Sequence, residues 1–239
     1  MQDRWEHDFT AGIPAYAVVR DAIRNQIVAG RLRPGSRLTI RSLVDQFGIS
    51  QMPIREALQA LEGEGLITML PHRGATVLQL DPKRVGDIYD VRGAIESLLM
   101  RLSVPNLTNA AMAELTAIHE EFKKSRRLGD QQAVFALNSR FHSLIYRHAN
   151  NPEAQAVYER YTNILGALRD RFGFSEARMY RIEAEHAQII EALRAQDEVQ
   201  LENVVRAHME GAKADLVSQM REELRAAAAD KTSHRIRGG

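Results

Sequence analysis

The sequence of 239 residues predicts a mainly α-helical fold, in which a small N-terminal domain carries a β-hairpin and an all-α antiparallel helical bundle follows. Apolar residues recur at spacings of three and four along most of the chain, which is the period of an amphipathic helix. An alternating, strand-like pattern is confined to residues 66–78. Turn-forming pairs such as Pro105-Asn106 and Gly129-Asp130 separate the later helices.

The composition is that of an ordinary globular chain, with 44% hydrophobic and 26% charged residues. No apolar run reaches the roughly 18 residues of a membrane span. The N-terminus lacks the basic-then-apolar order of a signal peptide, so we expect a cytoplasmic protein. The chain contains no cysteine, which excludes disulfides, thiolate catalysis and cysteine-based zinc sites.

The net charge of +1 is unevenly distributed along the chain. Residues 16–76 contain eight arginines against five acidic residues, and the first lysine is Lys83. Four of these arginines fall within eleven residues that contain no acid: Arg31, Arg33, Arg37 and Arg41. Guanidinium groups suit phosphates and guanine edges, although a solvated charged loop is the alternative.

Three short helices are predicted in the first third of the chain. The first presents four apolar residues on one face: Tyr16, Val19, Ile23 and Ile27. It ends before the turn signal Pro34-Gly35. The second begins after Thr39 as N-cap, and the third begins after Ser50, beyond a break at Gly48. Two short amphipathic helices joined through a glycine form a helix-turn-helix.

A two-stranded hairpin with a basic tip is predicted after the third helix. Residues 66–70 and 75–78 alternate as strands do, and they flank Pro71-His72-Arg73-Gly74. Helices followed by a basic hairpin in this order are typical of a winged helix-turn-helix. We place this domain at residues 13–80, after a flexible tail at residues 1–12.

Four motifs in this domain resemble the GntR family of bacterial regulators. They are Arg33-Pro34-Gly35-Ser36-Arg37-Leu38, Phe47-Gly48-Ile49-Ser50, Pro53-Ile54-Arg55-Glu56-Ala57-Leu58 and Leu61-Glu62-Gly63-Glu64-Gly65-Leu66-Ile67. The resemblance covers about residues 16–80 and implies that the start of the third helix enters the major groove of DNA. Carried over position by position, it assigns DNA contacts to Arg41, Ser50, Gln51, Met52, Arg55, His72, Arg73 and Gly74.

One departure from the family pattern concerns the bases that are recognised. The family often has arginine and threonine where this chain has Gln51 and Met52. Glutamine can bind adenine through two hydrogen bonds, whereas arginine prefers guanine. The operator is therefore expected to differ from the usual one, unless Gln51 contacts phosphate only.

The second domain is placed at residues 81–226, because Asp81 can cap a helix with Pro82 at its first position. Six helices are predicted, at about 83–104, 108–128, 130–149, 153–173, 175–195 and 197–226. Residues 227–239 are polar and basic, and we expect them to be disordered. Six antiparallel helices after a winged helix resemble the FadR-type branch of the GntR family, whose second domain is a ligand-binding helical bundle.

Three histidines and one amide are predicted to point into this bundle from three helices. Asn138 and His142 lie one turn apart, while His186 and His208 lie on the apolar stripes of their own helices. A single inward histidine is more often a core residue than a ligand, but three that converge favour a metal. The resemblance implies the same set, because metal-binding members use aspartate or asparagine, a histidine four residues later, and two further histidines. His119 is assigned to a charged surface.

We therefore expect a divalent transition metal, zinc in the first place, with nickel, iron or manganese as alternatives. Because ligand histidines must be neutral, metal affinity is expected to fall as the pH drops through about 6.5. Neutral ligands leave the charge of the ion uncompensated, so a small carboxylate effector is expected on the metal. Arg92 is assigned to the far end of that effector, or else to an ion pair with Glu96.

The sequence thus predicts a ligand-responsive transcriptional regulator, most often a repressor in this family, that binds a palindromic double-stranded DNA operator as a homodimer. The alternative is a metal-dependent enzyme on a helical bundle, since Glu183 and His186 have the spacing of di-iron sites. Neither His142 nor His208 has a glutamate three residues before it, which favours the regulator. A purely architectural DNA-binding protein would not need so large a second domain.

Overall fold

The computed structural model describes residues 12–71 and 73–237, with side chains up to residue 226. They form two compact units. The first contains the residues up to Leu80 together with Asn163–Arg171, and the second contains Asp81–Thr162 and the residues from Phe172 onwards. Within the described ranges, no helix combines the length and the apolarity that crossing a bilayer requires.

Apart from the segment Asn163–Arg171, the first unit contains three helices and a three-stranded antiparallel sheet. Its elements are α1 (Ala15–Val28), β1 (Arg37–Leu38), α2 (Ile40–Phe47), α3 (Gln51–Gly63), β2 (Ile67–Leu70) and β3 (Gly74–Val77). The strand order is β1-β3-β2, with Arg37 opposite Thr76 and Leu38 opposite Ala75. The sequence predicts only the β2–β3 hairpin, because two residues are too few to show an alternating pattern.

Local interactions explain where these helices begin and end. The Thr39 side chain accepts a hydrogen bond from the Ser42 amide at 3.1 Å, as expected of an N-cap. Gly48 ends α2 in the left-handed conformation, with φ 68°. Ser50 occupies the N-cap position of α3 but makes no capping hydrogen bond through its side chain. Tyr16 is exposed, so the buried face of α1 is narrower than predicted.

Gly74 is required by the close approach of β1 and β3. Its φ is +87°, and a Cβ atom there would lie 2.0 Å from the carbonyl oxygen of Leu38. No other residue type fits without moving the β1 backbone.

The second unit is helical throughout its described part. Its helices are α4 (Pro82–Ser103), α5 (Asn109–Arg127), α6 (Gln131–Tyr146), α7 (Pro152–Phe172, of which Asn163–Arg171 belongs to the first unit), α8 (Glu176–Ala195) and α9 (Glu198–Arg237), with 3-10 turns at Val104–Asn106 and Arg147–Ala149. The Asp81 side chain caps α4 by accepting from the Arg84 amide at 2.8 Å. Most apolar core residues of this unit come from α4, α5, α6, α8 and α9.

The last helix differs from the prediction that ends it at residue 226. It continues to Arg237, where a disordered tail is expected from residue 227. Residues 226–229 are four consecutive alanines, the strongest helix formers, and no glycine or proline follows before Gly238. Residues 238–239 and residues 1–11, most of the expected N-terminal tail, lie outside the described residues.

Candidate functional site

The first candidate surface is formed by α2, α3 and the hairpin of the first unit. Six of the eight residues predicted to contact DNA are exposed there: Arg41, Ser50, Gln51, Met52, Arg55 and Arg73. Met52 is 65% exposed, which is unusual for a large apolar side chain at the start of a helix. His72 lies outside the described residues. Gly74 is buried and has no side chain, so its contribution is to the shape of the hairpin backbone.

The arginines of this unit divide into two groups. Arg24 forms an ion pair with Glu64 at 2.5 Å and thereby joins α1 to the end of α3. Among the described residues, the side chains of Arg41, Arg55 and Arg73 form no ion pair, so their charge is available to an anion. A cationic, exposed surface of this kind suits the phosphate backbone of a nucleic acid.

Arg37 supports the hairpin, a role that sequence patterns did not reveal. Its Nε and Nη2 atoms each donate to the carbonyl oxygen of Arg73, at 3.3 Å. Because Arg37 lies on β1, this contact connects the tip of the β2–β3 hairpin to β1.

The second candidate site is a buried histidine cluster, formed by His142 on α6, His186 on α8 and His208 on α9. One ring nitrogen of each lies within 4.8 Å of the other two. The three side chains are almost fully buried. The Nε2 atoms of His142 and His208 are 3.0 Å apart, and the ring of His186 stacks on Phe141 with centroids 4.0 Å apart. The structure thus brings together the three histidines that the sequence singles out.

Burial keeps these imidazoles neutral. It lowers the pKa of His142 to about 4, and it lowers the pKa values of His186 and His208 well below their ordinary value. Neutral imidazoles offer nitrogen lone pairs at neutral pH. The cluster can therefore bind a cation without first losing protons.

Several polar atoms near the cluster have no hydrogen-bond partner in the described part of the chain. They include Oδ1 of Asn138, Nδ1 of His119 and both ring nitrogens of His186. Buried polar atoms without partners are rare and costly, and a bound ligand is a common explanation. Asn138 lies four residues before His142 and therefore on the same face of α6. Three imidazoles and one amide oxygen are a donor set that fits a divalent transition metal.

On one side of the cluster, a chain of contacts runs from His142 to α4. The hydroxyl of Tyr146 lies 3.3 Å from Nδ1 of His142 and donates a hydrogen bond of 2.6 Å to Glu96. Glu96 is 1% exposed and forms an ion pair with Arg92. The guanidinium of Arg92 also lies 5.1 Å from the centre of the Tyr158 ring. Of the two roles open to Arg92, the structure shows the ion pair.

On the other side, His208 contacts a buried ion pair. A carboxylate oxygen of Glu185 lies 2.7 Å from its Nδ1 atom. Nη1 of the fully buried Arg178 donates to both oxygens of Glu185, at 2.8 and 2.9 Å, and Nη2 donates to the His208 carbonyl oxygen at 2.8 Å. A Cβ atom on Gly211 would lie 2.6 Å from Nη1, so this glycine makes room for the guanidinium.

Arg178 was missed because a charged residue is not expected in the core. The signal was present, however, because Arg178, Ile182, Glu185 and Ile189 follow at spacings of four, three and four on one face of α8. A charged pair within a buried stripe indicates a polar site. Tyr146 shares a face of α6 with His142 and could have been found in the same way.

One prediction about the surroundings of the cluster is corrected. His119 is 7% exposed, and its ring lies 6.2 Å from that of His186, so it is not on a charged surface. It is buried because it shares a face of α5 with Leu115. Glu183, the acid of the di-iron spacing, forms an ion pair with Arg126 at 2.5 Å instead of facing the histidines.

Comparisons with known proteins agree with this two-part architecture. Residues 15–77 match the family described as bacterial regulatory proteins, gntR family, and residues 87–211 match the FCD domain. The chain is 31% identical over 134 residues to the HTH-type transcriptional regulator McbR of Escherichia coli K12, a match that spans 56% of this chain and 61% of that protein.

A longer match is to the gluconate operon transcriptional repressor of Bacillus licheniformis. It is 30% identical over 181 residues, which are 73% of this chain and 74% of the repressor. The solved structure of Escherichia coli McbR/YncC superimposes with a TM-score of 0.66 at 25% identity, covering 87% of this chain and 99% of that one.

Proposed function

Since the chain belongs to the GntR family of bacterial regulators and carries an FCD domain, we propose that it is a transcriptional repressor whose affinity for DNA is controlled by a small carboxylate bound to a metal ion. Its families and relatives are transcriptional regulators and not enzymes. The observation that carries the proposal is the convergence of His142, His186 and His208 inside the second unit.

The spacing of the imidazoles supports a shared ion. Zinc binds histidine nitrogen at about 2.0–2.1 Å, so two such ligands lie about 3.3 Å apart in a tetrahedral site and about 2.9 Å apart at a right angle. The 3.0 Å between the Nε2 atoms of His142 and His208 lies between these values. His186 and the amide oxygen of Asn138 complete the donor set. The ion would supply a Lewis acid with positions left open for an anion.

The charges around the cluster favour an anionic effector. Arg92 is balanced by Glu96, and Arg178 is balanced by Glu185. The protein therefore contributes no net charge from these four side chains, and the double charge of an ion remains to be compensated. Burying uncompensated charge is costly, so the site gains by recruiting a carboxylate. The name of one relative, a gluconate operon repressor, concerns a carboxylate metabolite.

The DNA-binding part of the proposal rests on α3 and the hairpin. Gln51, Met52 and Arg55 are exposed at the start of α3, in the position of a recognition helix, and Arg41 and Arg73 flank it. A single winged helix covers only a few base pairs. We therefore expect two copies to bind a palindromic operator as a homodimer.

The proposal is tested with untagged protein and an operator selected from random double-stranded DNA. Metal content is measured by elemental analysis, and organic acids are titrated into the protein–operator complex with and without a chelator. We expect release of DNA by at least one carboxylate, and only from metal-loaded protein. Equal release from metal-free protein would refute the role of the metal.

A further inference from the structure

We infer that Tyr146 and Glu185 are positioning residues, which hold the ring protons of His142 and His208 on Nδ1 so that both Nε2 atoms present lone pairs to one cation. This inference rests on the metal site of the proposed function. It concerns side chains that do not touch the ion themselves.

The proton of His208 is fixed by Glu185. An ionised carboxylate only accepts hydrogen bonds, so at 2.7 Å the Nδ1 atom of His208 must donate. The two contacts from Nη1 of Arg178 favour the ionised form of Glu185. Nη2 of Arg178 also lies 3.2 Å from Nδ1, but it has a shorter contact of 2.8 Å to the His208 carbonyl oxygen. The lone pair of His208 is thereby left on Nε2.

The proton of His142 is fixed through Tyr146. A phenol has one proton, and Tyr146 donates it to Glu96 at 2.6 Å. Glu96 is paired with Arg92, and an ionised carboxylate only accepts, so the phenol must be the donor in this contact. Its oxygen can then only accept from Nδ1 of His142, at 3.3 Å. Arg92 holds Glu96 in place, and the lone pair of His142 is left on Nε2.

These assignments place two lone pairs face to face. At 3.0 Å, the Nε2 atoms of His142 and His208 would attract each other if one of them carried a proton. With both protons on Nδ1, they repel each other until a cation lies between them. The contacts of Tyr146 and of Glu185 therefore each raise the free energy of the metal-free cluster relative to the metal-bound one. Outer partners of metal-binding histidines typically contribute 10–100-fold to metal affinity.

The test uses the full-length chain and Zn²⁺ as the probe. Zinc affinity is measured by competition with a chromophoric chelator in the wild type, Tyr146→Phe and Glu185→Gln. Tyr158→Phe is the matched control, because it removes one buried hydroxyl and keeps the ring that packs against Tyr146 at 4.9 Å between ring centres and against Arg92. We expect about 10–100-fold weaker binding in the first two variants and unchanged binding in the control.

A second measurement reads the protons directly. The nitrogen-15 shifts of labelled histidines in zinc-free protein distinguish the Nδ1–H and Nε2–H forms. In the wild type, both His142 and His208 are expected in the Nδ1–H form, and Tyr146→Phe should move His142 alone towards Nε2–H. A loss of packing would not change one tautomer selectively. Since the wild type is informative by itself, an unstable variant leaves the test intact.

The outcomes separate the two proposals. Zinc binding by the wild type with unchanged affinity in both variants, or an Nε2–H form of either histidine, would overturn the inference and leave the metal site standing. Wild-type protein that binds no zinc would overturn the metal site, while the tautomers would still decide the inference.

Discussion

The Nε2 atoms of His142 and His208 lie 3.0 Å apart although 66 residues separate them in the chain. His186 completes the cluster from a third helix. Such a convergence of neutral imidazoles in a core is costly unless a ligand uses it.

Removing His186 should remove the metal. We expect about one divalent ion per chain in untagged wild-type protein and none in His186→Ala, measured by elemental analysis. His119→Ala is the control, because His119 is also buried and lies 6.2 Å away between ring centres without joining the cluster. Equal metal contents in wild type and His186→Ala would return His186 to a purely structural role.

Metal-free protein should lose stability as the pH falls from about 6.5 towards 4. The cluster histidines have lowered pKa values in the folded protein, so the unfolded chain binds more protons in this range. The free energy of unfolding therefore decreases as the pH decreases. Each contributes up to about 1.4 kcal/mol per pH unit. Glu185 acts in the opposite direction, because burial raises its pKa.

This dependence is measured by urea unfolding in a chelator at several pH values. His142→Gln should make the curve shallower, because one of the titrating groups is then gone. Stability that stays constant between pH 7 and pH 5 would show that the histidines are not held neutral.

Arg55→Ala should weaken specific operator binding by about 1–3 kcal/mol, the contribution of one good base or phosphate contact. Arg55 is exposed on α3, and removing it leaves the core untouched. Arg206→Ala, on the exposed face of α9, removes the same charge from the other unit and should have little effect. Fluorescence anisotropy with operator and scrambled DNA provides the comparison. Tight binding that survives the loss of both Arg41 and Arg55 would refute this surface.

Arg37→Ala should weaken DNA binding by loosening the hairpin. The variant loses the contacts to the carbonyl oxygen of Arg73, and we expect a cost of about 0.5–1.5 kcal/mol in operator affinity. Arg31→Ala is the control, because Arg31 belongs to the same arginine-rich segment but bonds to Gln26. Equal losses in both variants would indicate a general charge effect instead of a positioned hairpin.

The helices were predictable because their apolar faces repeat locally. The boundaries of α4 to α8 lie within a few residues of those predicted from the pattern. The predicted N-cap residues Thr39 and Asp81 are the observed ones. Strand β1 was not predictable, since its two residues become a strand only by pairing with β3. The local sequence pattern does not show which distant segment a strand will pair with.

The histidines were predictable as a group, but their surroundings were not. The distance between His142 and Glu96 depends on how α6 meets α4, which no spacing within one helix records. The pH at which metal should be lost was also misjudged from the sequence, because it depends on how deeply the histidines are buried. Free histidine suggests about 6.5, whereas burial lowers the pKa of His142 to about 4.

Gly211 and Arg178 impose an order on how this site can change over evolution. A side chain at position 211 would meet Nη1 of Arg178, so the guanidinium would have to shift from its contacts with Glu185 unless Arg178 had already been replaced. Loss of Arg178 alone would leave Glu185, whose side chain is 15% exposed, without its guanidinium partner. The three positions should therefore be inherited together, and related sequences that carry a larger residue at 211 should also lack the arginine.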